Sequence, residues 1–263
     1  MQFICIGAHP DDCEIEFGGT AALLAEAGHA VKFLSVTNGD AGHMRLVGEE
    51  LARVRLAEAQ AAGRRLGIAE TEVLDNRDGE LLPTLAVRHE IVRRIRDWEA
   101  DVVLTHRPFD YHPDHRYTSQ LVQDSAYLVL VPNICPGAKP LQRNPVYLYL
   151  QDAFQKPCPF SPDVVVNIDR VFERKIEAMD AHASQFYEWL PWIDGETAVP
   201  EETQERQRWL AGRWAQPITK KIREALIRKY GESPGCAVQH AEAFELCEYG
   251  SRPTLQDLEK IFP

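Results

Sequence analysis

At 263 residues, 44% hydrophobic and 26% charged, the chain can bury one large core and has no stretch polar enough to stay disordered. Its formal net charge of -11 excludes a broad phosphate-binding surface, so nucleic acid is not an expected partner. Six cysteines without a CxxC pair, no cationic leader and an apolar start confined to Phe3–Ala8 point to a reduced cytoplasmic protein without a membrane span.

FICIGA is a short β-forming run that ends at the His9-Pro10 step, because proline disfavours the helical region for the residue before it. After Gly18 and Gly19, TAALLAEAG favours helix, and Gly28 stops it. AVKFLSV predicts a second strand, followed by the loop TNGDAGH and a helix from about Glu49 to Leu66. A third strand, TEVLD, leads through NRDGEL to a helix over Leu85–Trp98, with apolar Val87, Ile91, Ile95 and Trp98 on one face. DVVLTH is the fourth strand, and RPFDYHPDH the loop behind it. A helix containing LVQDSAYLVLV, the strands VYLYLQ and DVVVNI, and a helix near Val171 to Ser184 follow. This βα alternation predicts a single α/β domain, a Rossmann-like, doubly wound and mostly parallel sheet flanked by helices, because parallel neighbours need crossover connections. The first βα turn lacks the GxGxxG of a dinucleotide site. The basic stretch from Arg206 to Lys229 is expected to be a solvated face or subunit contact.

Ligands in such sheets gather beyond the carboxyl ends of the strands. Two motifs rich in histidine and aspartate fall there: HPDD (residues 9–12) after the first strand and HPDH (112–115) after the fourth. Alone, Asp12 or Asp114 would serve as a helix cap. Together the motifs suit a mononuclear catalytic zinc, which takes about three imidazole or carboxylate ligands and keeps one position open for water. Pro10 restricts the first turn so that His9 and Asp12 converge, Asp11 stays free as a base, His115 closes the set, and His112 stands beside the open position.

At these residues the chain resembles the LmbE-like, or GlcNAc-phosphatidylinositol de-N-acetylase-like (PIG-L), zinc amidohydrolases. The resemblance rests on AHPDD with EIEFGGT and on HPDH about a hundred residues later. TNGDAG, ELARVRLAEAQAA, LDNRDGEL and AHASQF are weaker echoes, and the spelling HPDDCEI is similar to the bacillithiol-pathway branch. It implies Zn2+ on His9, Asp12 and His115, with other divalent metals able to substitute. It further implies Asp11 as general base, and His112, oriented by Asp114, at the oxyanion or leaving amine. Arg55, Asp40, Asp78 and His182 would contact substrate, an N-acetylated sugar conjugate, and a homo-oligomer is implied. Where many relatives have glutamate, this chain has Cys13, read here as a packing residue. Phe186, Tyr187, Trp189 and Trp192 are read as core, and His29, His43, His89, His106 and His240 receive no role. Two rival classes use the same residues. A dinuclear phosphoesterase would need further ligand motifs at strand ends, and a non-catalytic metal- or carbohydrate-binding module would not need a spare base.

Overall fold

The structure, a computed structural model, describes residues 1–196 and 198–263. Its first half alternates strictly: β1 (Gln2–Gly7), α1 (Asp12–Glu26), β2 (Ala30–Thr37), α2 (Gly48–Leu66), β3 (Glu70–Asn76), α3 (Leu85–Asp97), β4 (Val102–Thr105) and α4 (Pro113–Leu128). Then come β5 (Val146–Leu150), β6 (Val164–Asn167), α5 (Phe172–Met179), a π-helical turn over Ser184–Trp189 and α6 (Leu190–Ile193). The chain continues through α7 (Thr203–Trp214), α8 (Lys220–Tyr230), α9 (Glu232–Ala237), β7 (Ala241–Leu246) and α10 (Leu255–Ile261).

The seven strands lie in the order β3-β2-β1-β4-β5-β7-β6, and the first five are parallel. Both faces are covered, so β1 buries Phe3 and Cys5 under one layer and Ile4 and Ile6 under the other, and its sequence is apolar throughout instead of alternating. Phe17, Phe33, Leu104 and Leu148 complete the first layer beneath α1, α2 and α5. Leu34, Val103, Ile91 and Leu121 complete the second beneath α3 and α4.

The α/β expectation holds, with one addition. β7, from the end of the chain, inserts antiparallel between β5 and β6. Its Glu242 is buried against α1, accepting from the Gly19 and Thr20 amides at 2.9 and 2.7 Å and from Lys175 Nζ at 2.7 Å. The basic stretch resolves into α7 and α8, separated at residues 215–219. Cys13 is core, donating to the Cys5 carbonyl at 3.4 Å. No helix among the described residues is long and apolar enough to cross a membrane. Strand order reverses between β1 and β4, and the crevice beyond their carboxyl ends is where the two motifs emerge.

Candidate metal centre and active site

β1 delivers His9 and Asp12 together because the chain turns at once into α1. Gly7 makes the turn possible: a Cβ there would lie 2.8 Å from Asp12 Cβ. β4 delivers the second motif through the loop to α4, where His112 is the N-cap, its Nδ1 accepting from the Asp114 amide at 3.2 Å, and Pro113 opens the helix.

Donor atoms from these turns face one another. His9 Nδ1 lies 3.2 Å from His115 Nε2 and 3.5 Å from Asp12 Oδ2, and the other carboxylate oxygen, Asp12 Oδ1, is 3.4 Å from His115 Nε2. A tetrahedral ion with ligand bonds of 2.0–2.1 Å separates its ligands by about 3.3 Å, so these spacings are close to those of a zinc donor set. The far side of each ring is also engaged. His9 Nε2 lies 3.2 Å from Asp78 and 3.3 Å from Asp114, and His115 Nδ1 lies 3.1 Å from Asp110. Carboxylates in those places hold the proton on the outer nitrogen and leave the inner lone pair for a cation. Asp78, Asp114 and His9 also group as three buried donors, but they use the second nitrogen of a ring already committed to the first cluster. An N–H donated to two carboxylates accounts for that group without a second ion and weighs against the dinuclear phosphoesterase.

The electrostatics express the same excess of carboxylate. Burial disfavours charge on His9, yet Asp114, Asp12 and Asp78 overcome it and hold its pKa well above the usual value. Burial opposes Asp12 and Asp78 as well, but the neighbouring histidines keep Asp12 well below the carboxylate range and Asp78 at about 2. Asp11 differs. Burial, partly opposed by Arg55, pushes its pKa up to about 6. His112 is held below the ordinary value by burial and by His9 and His115, so its neutral form is favoured.

A cavity of about 620 Å³ opens over the cluster, within the range of small-molecule sites. Asp11, Arg55, Asp78, His112 and Trp189 line it together with the three candidate ligands. Of the expected substrate contacts, Arg55 and Asp78 therefore reach the cavity, and Asp40 and His182 do not. Arg55 is buried, donating to Asp11 at 3.0 Å and to the Pro10 carbonyl at 3.1 Å, and Gly39 at φ +70° leaves the space it fills. Its first partner is therefore Asp11. Asp40 accepts from the Asp78 amide at 3.0 Å and lies off the cavity wall, bracing the loop that carries Asp78. His182 is fully buried beside Glu14 at 3.4 Å and does not reach the cavity. Asp114 turns its carboxylate to the Gly79 amide at 2.7 Å and to His9, and only its backbone amide meets His112. The expected pairing of Asp114 with the His112 side chain is thus replaced by one with His9, because the N-cap geometry already occupies His112 Nδ1.

Sequence reasoning missed two neighbours. His106 stacks on His115, ring centroids 4.1 Å apart, and its Nε2 lies 3.0 Å from the Ala8 amide and 3.1 Å from Asp12. Its position at the last residue of DVVLTH was the available signal. Asp110 stood inside the quoted FDYHPDH motif, and only the structure shows that it serves His115. Asp110→Asn is expected to weaken divalent-metal affinity by roughly 10–100-fold, the usual cost of losing an outer partner, as read by competition with a chromogenic chelator.

Comparison with known proteins sharpens these features. A family model described as PIG-L, GlcNAc-PI de-N-acetylase, matches residues 4–126. Diacetylchitobiose deacetylase from Thermococcus kodakarensis is 34% identical over 207 residues, 73% of this chain and 74% of that protein. 4-Oxalmesaconate hydratase from Pseudomonas putida is 27% identical over 197 residues, 71% of this chain and 74% of that one. A probable N-acetyl-alpha-D-glucosaminyl L-malate deacetylase 2 from Bacillus anthracis reaches 25% over 189 residues, 68% of this chain and 78% of that one. The structure of N,N'-diacetylchitobiose deacetylase from Pyrococcus horikoshii superposes with a TM-score of 0.70 at 27% identity, covering 94% of this chain and 84% of that one. The higher identity therefore falls with diacetylchitobiose deacetylase and not with the bacillithiol-pathway branch that the motif spelling suggested.

Proposed function

Because the chain belongs to the PIG-L, or GlcNAc-PI de-N-acetylase, family, we propose that it hydrolyses the N-acetyl group of an N-acetylglucosamine-like sugar conjugate, releasing acetate and a free amine. The observation that carries this reading is the triangle of His9 Nδ1, Asp12 and His115 Nε2 at the floor of a cavity that also holds Asp11 and His112. His9, Asp12 and His115 would hold one divalent cation, zinc by donor type, with iron or another ion able to replace it. When bound, such an ion acidifies water and polarises a carbonyl oxygen.

The protein's own groups do the rest. Asp11, with its carboxyl near neutrality and steadied by Arg55, takes a proton from water as the oxygen attacks the acetyl carbon. His112 accepts from the Asp114 amide through Nδ1, so its neutral ring carries the proton on Nε2 and donates to the oxygen that gains negative charge. When the C–N bond breaks, the electron pair stays on nitrogen, and Asp11 returns its proton to the departing amine. Asp78 and Asp114 hold His9, and Asp110 holds His115, so the donor set keeps its orientation throughout.

The hydratase relative favours a second reading, addition of water to a carbon–carbon double bond. An anionic substrate of the kind that relative's name indicates needs free cations, and the cavity's arginines are paired. Arg55 is with Asp11 and Asp78, Arg107 with Asp152 and Glu245, and Arg213 with Asp194 and Glu196. The test combines metal analysis with free-amine detection across a panel of N-acetylglucosamine conjugates. About one ion per chain with equimolar amine and acetate is expected, whereas no amine from any conjugate, with hydration of an unsaturated diacid, would replace this reading.

A further inference from the structure

His43 received no role from the sequence, and the mechanism above does not use it. Its side chain is fully buried in the loop between β2 and α2. Nδ1 accepts from the Arg45 amide at 3.1 Å and from the Leu46 amide at 3.0 Å, so in the neutral ring the proton sits on Nε2. That nitrogen donates to Glu188 in the π-helical turn at 3.2 Å. One imidazole therefore caps its own loop and ties that loop to a segment 145 residues later. Arg45 reaches the same Glu188 oxygen at 2.9 Å, but its side chain is 72% exposed, and a solvated pair of this kind contributes little. The hold on Glu188 falls to the buried ring.

Both ends of the tie border the active site. Trp189, next to Glu188, lines the cavity, as does Gln185 from the same turn, whose Nε2 donates to the Gly42 carbonyl at 3.1 Å. Gly42 immediately precedes His43, and its amide donates to Asp78 Oδ2 at 3.2 Å. Asp78 Oδ1 in turn lies 3.2 Å from His9 Nε2, the outer nitrogen of a candidate metal ligand. An unbroken line of polar contacts thus runs from the cavity wall through the loop to the donor triangle.

We propose that His43 is a positioning residue for the metal centre: its Nε2–H, through Glu188, fixes the π-helical turn against the loop that presents Gly42 to Asp78, and so sets the orientation of His9. The cavity wall at Trp189 and the metal-directed face of His9 are then registered to one another by a single buried imidazole. The inference rests on the deacetylase reading for its catalytic meaning, but its test needs no turnover.

Two substitutions separate the two functions of the ring. Asparagine puts its oxygen near the place of Nδ1 and keeps the loop cap but falls short of Glu188, whereas glutamine puts its amide near the place of Nε2 and keeps the tie but gives up the cap. Zinc affinity of the full chain would be measured by competition with a chromogenic chelator, and hydrogen exchange of residues 184–190 by mass spectrometry on the metal-free chain. His43→Asn and Glu188→Ala are each expected to weaken zinc binding by about two- to tenfold, the usual worth of one buried hydrogen bond, and to speed exchange in that segment. The double variant should lose no more than either single one, because both break the same bond. His43→Gln and Arg45→Ala should stay within about twofold of the unchanged protein. Circular dichroism confirms folding, and Glu188, 41% exposed, supplies a variant that tests the tie without touching the buried ring. Unchanged zinc affinity and exchange in folded His43→Asn or Glu188→Ala overturns the proposal. So does weaker zinc binding in His43→Gln than in His43→Asn, which would reduce His43 to a cap for its own loop. No acetate from any conjugate, with the variants behaving as expected, removes the deacetylase reading and keeps the tie. Acetate release with affinity and exchange unchanged in the variants does the reverse.

Discussion

Replacing His115 with alanine is expected to strip the protein of its divalent ion and to lower kcat/KM for acetate release by more than about 10³-fold. Outer partners already cost 10–100-fold in metal affinity, and His115 supplies one corner of the donor triangle itself. Emission spectrometry on the purified variant should find the metal falling from about one equivalent to near none. Asp12, His106 and His115 form one further group that shares members with the first, and His9, His112 and His115 another. Loss in His115→Ala together with retention in both His106→Ala and His112→Ala would leave the triangle of His9, Asp12 and His115 as the ion's holder. A His115 variant that keeps a full equivalent of metal would remove that assignment.

Asp11→Asn should behave in the opposite way, keeping the ion while losing about 10²–10⁴-fold in kcat, the range of general acid–base assistance. Asparagine preserves the shape beside Arg55 but cannot accept a proton. The pH profile supplies a second signature. A base works only when deprotonated, so kcat/KM should rise with pH through the pKa of Asp11. Burial lifts that value to about 6, and a bound cation nearby draws it downward, which places the acid limb at or below pH 6. The limb should vanish in the asparagine variant. Full turnover in Asp11→Asn, or an unchanged limb, would take Asp11 out of the mechanism.

Most of the sheet and both motifs were legible in the sequence for a physical reason. Apolar runs such as FICIGA and DVVLTH are continuous because helices cover both faces, and each ends where a proline or polar turn must begin, which places HPDD and HPDH at strand ends. Partnership was less legible than position. Asp114 reads locally as a companion of His112, two residues away, yet its carboxylate spans to His9, more than a hundred residues earlier. Arg55 and Asp40 were both expected to contact substrate; Arg55 lines the cavity and Asp40 does not. Their buried bonds to Asp11 and to the Asp78 amide depend on how two loops meet above the sheet, which no local pattern encodes. His106 escaped notice because a lone histidine ending a strand carries no spacing signal until its ring is found against His115. β7 was invisible for a related reason: its pairing with β5 and β6 is set by tertiary insertion and not by the turn that precedes it.

That late insertion bears on how the polypeptide matures at the ribosome. Until Ala241–Leu246 has emerged, β5 and β6 lack the neighbour that joins them, and their open backbone edges can recruit strands from other nascent chains. The ligand-bearing motifs, by contrast, are complete once residue 115 has left the exit tunnel. A chain that stopped between residues 168 and 240 would therefore carry every metal-directed side chain and leave the edges of β5 and β6 open.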